Sequence, residues 1–369
     1  MKGRTIFAAV ALGAVVVASG VAYAAVTSLR TADTTTSTAT SNAAVVSDFT
    51  TNPAGSVFLE ADLNGRGEML QSGQNMGDPN GSAVVILRIS KNRIMYEITW
   101  QRMTPPAKMM LQLGAAGSPA GPAQLNLMPT AMPGTITSIA GVINLNNNGL
   151  LNLLLGNPSR YNVNMMTPQF PGGAVRGQFR RIGPFDFNRI LHVGQLTSVD
   201  SGDQVVGVGN MNAHANVFLG SAANTTTTLA YAAIWDGVNS PTALNVNNGA
   251  VGAVGNLVAT LFKAPHGLNP TIIAVAGMVP NVPAKWIAML KANPAAFHTS
   301  LVTAKFAGGA ARGQLFALGA VTTMPTTTKP KPTTTTTKPT MTMNPPTTMS
   351  QPGTTVAPPP TGTMAPPHW

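Results

Sequence analysis

The sequence predicts an all-β protein made from one unit used twice, and three observations carry that expectation. A phrase occurs two times: Phe170-Pro171-Gly172-Gly173-Ala174-Val175-Arg176-Gly177-Gln178-Phe179 and, 136 residues later, Phe306-Ala307-Gly308-Gly309-Ala310-Ala311-Arg312-Gly313-Gln314-Leu315. Tyr96 and Trp100 recur as Tyr231 and Trp235 at nearly the same offset. Between these landmarks lie short runs of β-branched and aromatic residues punctuated by Gly and Asn, the pattern of strands and turns. Matches at one offset indicate a tandem repeat. The expected architecture is two tandem Greek-key, immunoglobulin-like β-sandwiches.

The chain opens on Lys2 and Arg4, an apolar stretch from Ile6 to Val21, and Ala22-Tyr23-Ala24. This is the layout of a secretory signal peptide over residues 1–24, cleaved after Ala24. The alternative is an uncleaved membrane anchor, since the apolar stretch runs on to Val26. Residues 25–54 are rich in Thr, Ser and Ala and read as a flexible linker. The first repeat is expected over 55–183 and the second over 188–319, with Pro184 stopping the last strand of the first.

Within the repeats, Ala83 to Ile89 and Ile94 to Trp100 form a hairpin, matched by Ala215 to Gly220 and Thr228 to Trp235. Val175 to Arg181 and Ala311 to Leu318 are closing strands launched by the Gly-Gly turns, where glycine supplies backbone angles that other residues avoid. Trp286, Met289 and Leu290 have helical spacing within Pro283 to Asn293, and Leu150, Leu153 and Leu154 take the same places in the first repeat. Tyr96, Trp100, Tyr231 and Trp235 are expected in the core. Residues 320–369 are dominated by Thr and Pro and read as a disordered tail, of the kind often O-glycosylated in exported proteins.

Charged residues make up only 9% of the chain, against roughly 25% for an average soluble domain. The net charge is +11, with no acidic residue after Asp236. That balance suits an anionic partner such as a cell-wall polymer. Nucleic acid is not expected, because no long basic run or recognised nucleic-acid motif occurs and the export signal argues against it. A membrane partner is expected only if the N-terminal segment stays uncleaved. The chain has no cysteine, which excludes disulfides, thiolate metal sites, a cysteine nucleophile and a lipoprotein anchor.

The closing phrases are similar to those of bacterial CHRD domains, named for chordin, which read Tyr-x-Val-Asn-Val-His-Thr and then Phe-Pro-Gly-Gly-x-Ile-Arg-Gly-Gln-Leu. Here Tyr161-Asn162-Val163-Asn164-Met165-Met166-Thr167 precedes the first phrase, and Phe297 and Ser300 take the Tyr and Asn positions before the second. Leu63-Asn64-Gly65-Arg66-Gly67-Glu68 resembles the family's opening Leu-Asn-Gly-x-x-Glu. The resemblance covers residues 55–319 and implies an extracellular β-sandwich module with no settled activity in bacterial members. Many members carry Ala-His-Ile-His ahead of Gly-Ala-Ala-Gly, and the later His, imidazoles placed to meet around a metal. In this chain those positions hold Met110, Gln112 and Met166, and in the second repeat Asn245, Asn247 and Val302.

Met110 and Met166 are the candidates for a soft ligand pair for Cu(I); the alternative is that they fill the space of the imidazoles. No cofactor is expected. None of His192, His214, His266, His298 and His368 has ligand spacing, and each reads as a surface or strand histidine. Asp200 and Asp203 read as turn residues, as do Glu60, Asp62 and Glu68. Arg176 and Arg312 read either as anion contacts or, preferably, as structural residues fastening the Gly-Gly turns through nearby carbonyls. No nucleophile-elbow motif or phosphate loop appears, so no catalytic residue is named. The expectation is a non-enzymatic, exported, cell-surface binding or scaffolding protein whose partner is a cell-wall polymer or an extracellular protein. The alternatives are a copper-handling or redox module and a structural wall or matrix component.

Overall fold

The computed structural model describes residues 52–318, apart from 69–76, 120, 147–148, 192, 206, 208 and 223–224. The signal peptide, most of the linker, and the tail expected over 320–369 lie outside the described residues, as do His192 and His368. The first half contains β1 (Val57–Asn64), β2 (Ser82–Ser90), β3 (Arg93–Gln101), β4 (Lys108–Leu113), β5 (Ala123–Met128), β6 (Ile136–Asn144), α1 (Gly149–Gly156), β7 (Tyr161–Met166) and β8 (Val175–Ile182). The second contains β9 (Leu196–Ser201), β10 (His214–Ser221), β11 (Leu229–Asp236), β12 (Ala243–Asn248), β13 (Asn256–Lys263), β14 (Ile272–Val279), α2 (Ala284–Ala292), β15 (Phe297–Val302) and β16 (Ala311–Ala317). The chain is nearly all-β, and both expected hairpins, both closing strands and both short helices are present.

The sixteen strands form one antiparallel sheet in the order 13-12-15-16-9-10-11-14-6-3-2-1-8-7-4-5. The first eight run 6-3-2-1-8-7-4-5, and the second eight follow the same scheme outward from β14. The halves therefore meet along β6 and β14, rather than across a free linker. Alternation fills the inner face of each strand with apolar residues. Leu59, Val85, Tyr96, Leu111 and Val163 in the first half, and Val217, Tyr231, Val246, Leu261 and Leu301 in the second, are fully buried in one core cluster.

A second cluster lies against the central strands and includes Phe58, Ile86, Met95, Phe218, Ala232 and Ile234. It is completed by the segment between the halves, from which Phe187, Ile190 and Leu191 insert. Pro184 does end the first closing strand, but the residues after it pack on the sheet. Arg88 stacks over the Phe187 ring at 5.5 Å, and Arg189 over Phe185 at 5.0 Å. Glu97 is caught beneath this cover, and burial pushes its carboxyl up to about 8.

The junction is reciprocal. Val142 N–H donates to Thr271 O at 2.9 Å, and Met278 N–H donates to Thr135 O at 2.9 Å. Tyr96 shares a 3.0 Å hydroxyl bond with Thr271 of the other half. Two glycines let the backbones approach: a Cβ on Gly141 would fall 2.3 Å from Thr271 O, and one on Gly277 only 1.8 Å from Thr135 O. Both contacts are with main chain, so no side chain can turn aside to make room.

Gly277→Val should therefore lower stability by about 2–3 kcal/mol or more, the cost of overpacking a fixed interior. Gly156→Ala, where a Cβ meets nothing within 4 Å, is the control and should stay near the parent. Urea-unfolding midpoints of the two variants check this, and a Gly277→Val midpoint equal to the control would show that the junction is compliant.

Candidate functional site

The repeated Arg-Gly-Gln phrase opens β8 and β16, where alternation sends Arg and Gln to the face away from the core. Register fixes their neighbours. Asn164 pairs with Arg176 and Met110 with Asn164; Gln112 pairs with Asn162 and Asn162 with Gln178. Met110, Gln112, Asn162, Asn164, Arg176 and Gln178 thus line one face of three adjacent strands. The second half repeats the layout with Asn245, Asn247, His298, Ser300, Arg312 and Gln314.

Each set lies under the loop joining the two outermost strands. Arg176 donates to Ser118 O at 2.9 Å, Asn162 to Gly114 O at 3.0 Å, and Gln178 to the same carbonyl at 2.7 Å. In the second half Arg312 donates to Ala250 O at 3.3 Å and also to Ala253 O, and Gln314 donates to Gly249 O at 2.8 Å. Both arginines do bind main-chain carbonyls. The carbonyls belong to the Gly114–Ser118 and Gly249–Ala253 loops, not to the Gly-Gly turns, because the strand face carries the guanidinium across to the neighbouring hairpin. In the Gly-Gly turns φ is 151° at Gly173 and 129° at Gly309, which favours glycine, and Asn164 donates to Gly172 O of the first turn at 3.2 Å.

The two sites differ chemically. In the first, Gln112 Oε1, Asn162 Oδ1, Asn164 Oδ1, Gln178 Oε1, Glu68 Oε1 and one Arg176 nitrogen are buried without a hydrogen-bond partner. Glu68 packs on Gly173, and burial pushes its carboxyl up to about 7, opposed by the charge of Arg176. None of the second-half counterparts leaves a buried side-chain atom unpartnered. There His298 is buried against Arg312, whose guanidinium lies 3.2 Å from Nδ1. Burial and that charge lower the histidine pKa, opposed by Gly249 O, which lies 3.3 Å from the same Nδ1.

Met110 and Met166 share the outer face of β4 and β7, with Met166 paired to Lys108. The groups around Met110 are Asn164 and, beyond it, Arg176. Hard amides and a cation do not extend two thioethers into a soft-metal set. Of the six positions that correspond to family histidines, Met110, Gln112, Asn245 and Asn247 belong to the two faces just described, and Met166 and Val302 sit at their margins.

Three carboxylates expected in turns, Glu60, Asp62 and Asp200, are placed in strands. Asp62 lies in β1, where Arg180 bridges Glu60 at 2.9 Å and Asp62 at 3.3 Å. Asp200 lies in β9 and is fully buried, because its strand position faces the core; only Asp203 is in a 3-10 turn. Ser198 donates to Asp200 Oδ1 at 2.7 Å, Thr299 lies 2.7 and 2.8 Å from the two carboxyl oxygens, and Ser198 and Thr299 are 2.5 Å apart. Both hydroxyls donate to the carboxyl, Ser198 to Oδ1 and Thr299 to either oxygen, so the three side chains close a ring of contacts. Burial raises the Asp200 carboxyl to about 7, opposed by the two hydroxyl bonds and by the charge of Arg312. Gly313 makes room for it, since a Cβ there would fall 2.4 Å from Asp200 Oδ1. By register the same three positions in the first half hold Ala61, Leu63 and Val163.

These features define a class of all-β protein whose outer hairpin loops are tied down by arginine. The CHRD domain family model matches residues 59–179, so a CHRD domain occupies that segment, from β1 to β8. No curated protein and no solved structure matches the chain.

Two predictions follow from the buried polar groups. Because the Asp200 pKa is raised from 3.8 to about 7 in the folded state, the native form binds more protons and stability falls as pH rises between those values, by about 4 kcal/mol in total. Asp200→Asn should flatten the part of the stability–pH curve that Asp200 contributes and raise the unfolding midpoint near pH 8; an unchanged slope would show that burial does not raise the Asp200 carboxyl. Gln112→Leu removes an unpartnered buried oxygen and should stabilise the fold by about 1 kcal/mol, read as a higher thermal midpoint.

Proposed function

We propose that this protein is a non-enzymatic binding and scaffolding protein of the cell envelope, exported by its N-terminal segment and built from two CHRD-like Greek-key β-sandwich units. Residues 188–319 are read as the second unit because their eight strands follow the scheme of the first and their Arg-Gly-Gln phrase braces the equivalent loop. The Thr/Pro-rich tail suits presentation at a surface.

One observation carries the scaffolding reading. The braced loops join the last two strands at either end of the hydrogen-bonded order of a single sheet, which folds back so that β13 packs against β14. Because β6 and β14 run antiparallel, the loop ends of the halves point in opposite directions along the strands. One sheet with a braced loop at each of two opposed strand ends is suited to engaging two partners at once. The non-enzymatic reading is supported by Asp200: its hydroxyl-rich surroundings are sealed in the core. The basic balance of +11 favours an anionic wall polymer as the partner.

The full chain should sediment purified wall fragments by cross-linking them. Ala116→Glu in the first loop, or Ala250→Glu in the second, should leave binding but lower cross-linking by roughly tenfold, because bridging needs both sites. Retention of no wall fraction, or saturable turnover of a small substrate by the purified protein, would overturn the reading.

A further inference from the structure

The Gly249–Gly255 loop is not only braced; it is apolar where it faces solvent. Val251 is 62% exposed, Val254 71%, and Leu257, at the start of β13, 59%. Arg312 holds the loop through the carbonyls of Ala250 and Ala253, on either side of Val251 and just before Val254. The same loop in the first half presents Ala115, Ala116 and Gly117 instead. Three large apolar side chains on one short, tied loop are a costly surface to leave in water.

The surroundings indicate what covers it. Gly249 N–H donates to Ala296 O at 2.7 Å, which places the 3-10 turn Pro294–Ala296, next in the chain after α2, beside the loop. Helix α2 exposes Lys285, Met289 and Lys291, and Trp286 is half-buried on it, in edge contact with Phe297. Lys291 Nζ contacts Ser221 at the end of β10, so the basic helix sits at the loop end of the sheet. Asp236 pairs with His214 at the other end of β10, and Asp203 follows the strand that His214 also pairs with. Over an eight-residue strand these acidic groups are about 20 Å from the loop end. From residue 237 to 318 the charged side chains are Lys263, Lys285, Lys291, Lys305 and Arg312, all positive. Apolar tips flanked by lysines, with the acidic groups at the far end, match a surface that is anionic outside and apolar beneath.

The geometry points to the Gly249–Leu257 tip, with the exposed lysines of α2, as a contact for an anionic lipid bilayer: Val251, Val254 and Leu257 enter the headgroup–acyl boundary while Lys285 and Lys291 meet the lipid charge. The contact falls on the second braced loop, which the scaffolding reading also gives to the wall polymer; the cross-linking experiment without lipid and the vesicle experiment without wall fragments test the two occupants independently.

The test uses the full chain and vesicles of phosphatidylglycerol mixed with phosphatidylcholine, or of phosphatidylcholine alone. Because the N-terminal segment can itself bind lipid, the readout is local: quenching of Trp286 fluorescence by brominated acyl chains, with Trp286→Phe defining the background. Quenching is expected on the anionic vesicles, falling as salt is raised, and on neutral vesicles it should be lower by roughly tenfold. Val251→Asp with Val254→Asp, whose retained fold is checked by circular dichroism, should abolish it. Equal quenching in that double variant, or equal quenching on neutral vesicles, would overturn the proposal. So would absence of quenching in the parent together with a sedimentation coefficient that drops in the variant, which would assign the tip to a second copy of this chain.

Discussion

The pairing of β6 with β14 is the constraint on which the rest of the structure depends. It merges two eight-strand halves into one sheet, and it works only because glycine stands at two reciprocal places. Gly141 faces Thr271 O and Gly277 faces Thr135 O, each too close for any side chain. The hydrogen bonds that cross the junction come in matched pairs, as in a two-fold interface, but here both sides belong to one chain. Burying the central strands on their second face then requires a cover. The segment carrying Phe187, Ile190 and Leu191 supplies it, so the connection between the halves is a core element.

From that junction outward, each half solves the same problem at its far end. A hairpin at the edge of a sheet has unpaired backbone and a loop with few neighbours. Arg176 and Arg312 satisfy loop carbonyls from beneath, and Gln178 and Gln314 join them on Gly114 O and Gly249 O. Planar, permanently charged guanidinium suits this work, because it offers several donors in fixed directions and remains protonated when partly desolvated. The halves have diverged around that shared device. The first keeps an apolar interior at Ala61, Leu63 and Val163 and leaves acceptor oxygens unpartnered beneath its loop; the second closes its polar face through His298 and places the Ser198–Asp200–Thr299 ring in the core.

The same divergence separates the two loop ends in character. Small residues top the first loop, whereas Val251, Val254 and Leu257 top the second beside a basic helix. Antiparallel pairing at the junction turns these ends away from each other. The two loop ends thus differ in chemistry, and that difference supports the scaffolding reading and the lipid contact proposed for one end.

The sequence by itself determined the two hairpins, the two closing strands, both short helices and the buried Tyr–Trp pairs, because these follow from local periodicity and turn chemistry that a single segment carries. It also pointed Arg176 and Arg312 at nearby carbonyls, but assigned those carbonyls to the Gly-Gly turns instead of the neighbouring hairpin loops. What it left unread depended on contacts between distant segments. His298 was passed over although the alignment of Phe297 with Tyr161 gives it the place that Asn162 holds in the first half, since a lone histidine has no local signature of burial. Asp200 resembled a turn residue because Ser201-Gly202-Asp203 follows it, and only the register of β9 against β16 shows that its side chain enters the core beside Thr299. The merging of the halves, the identity of the braced loops and the opposed directions of their tips were decided by tertiary structure alone, because pairing between β6 and β14 joins residues more than a hundred positions apart and leaves no periodic trace in either strand.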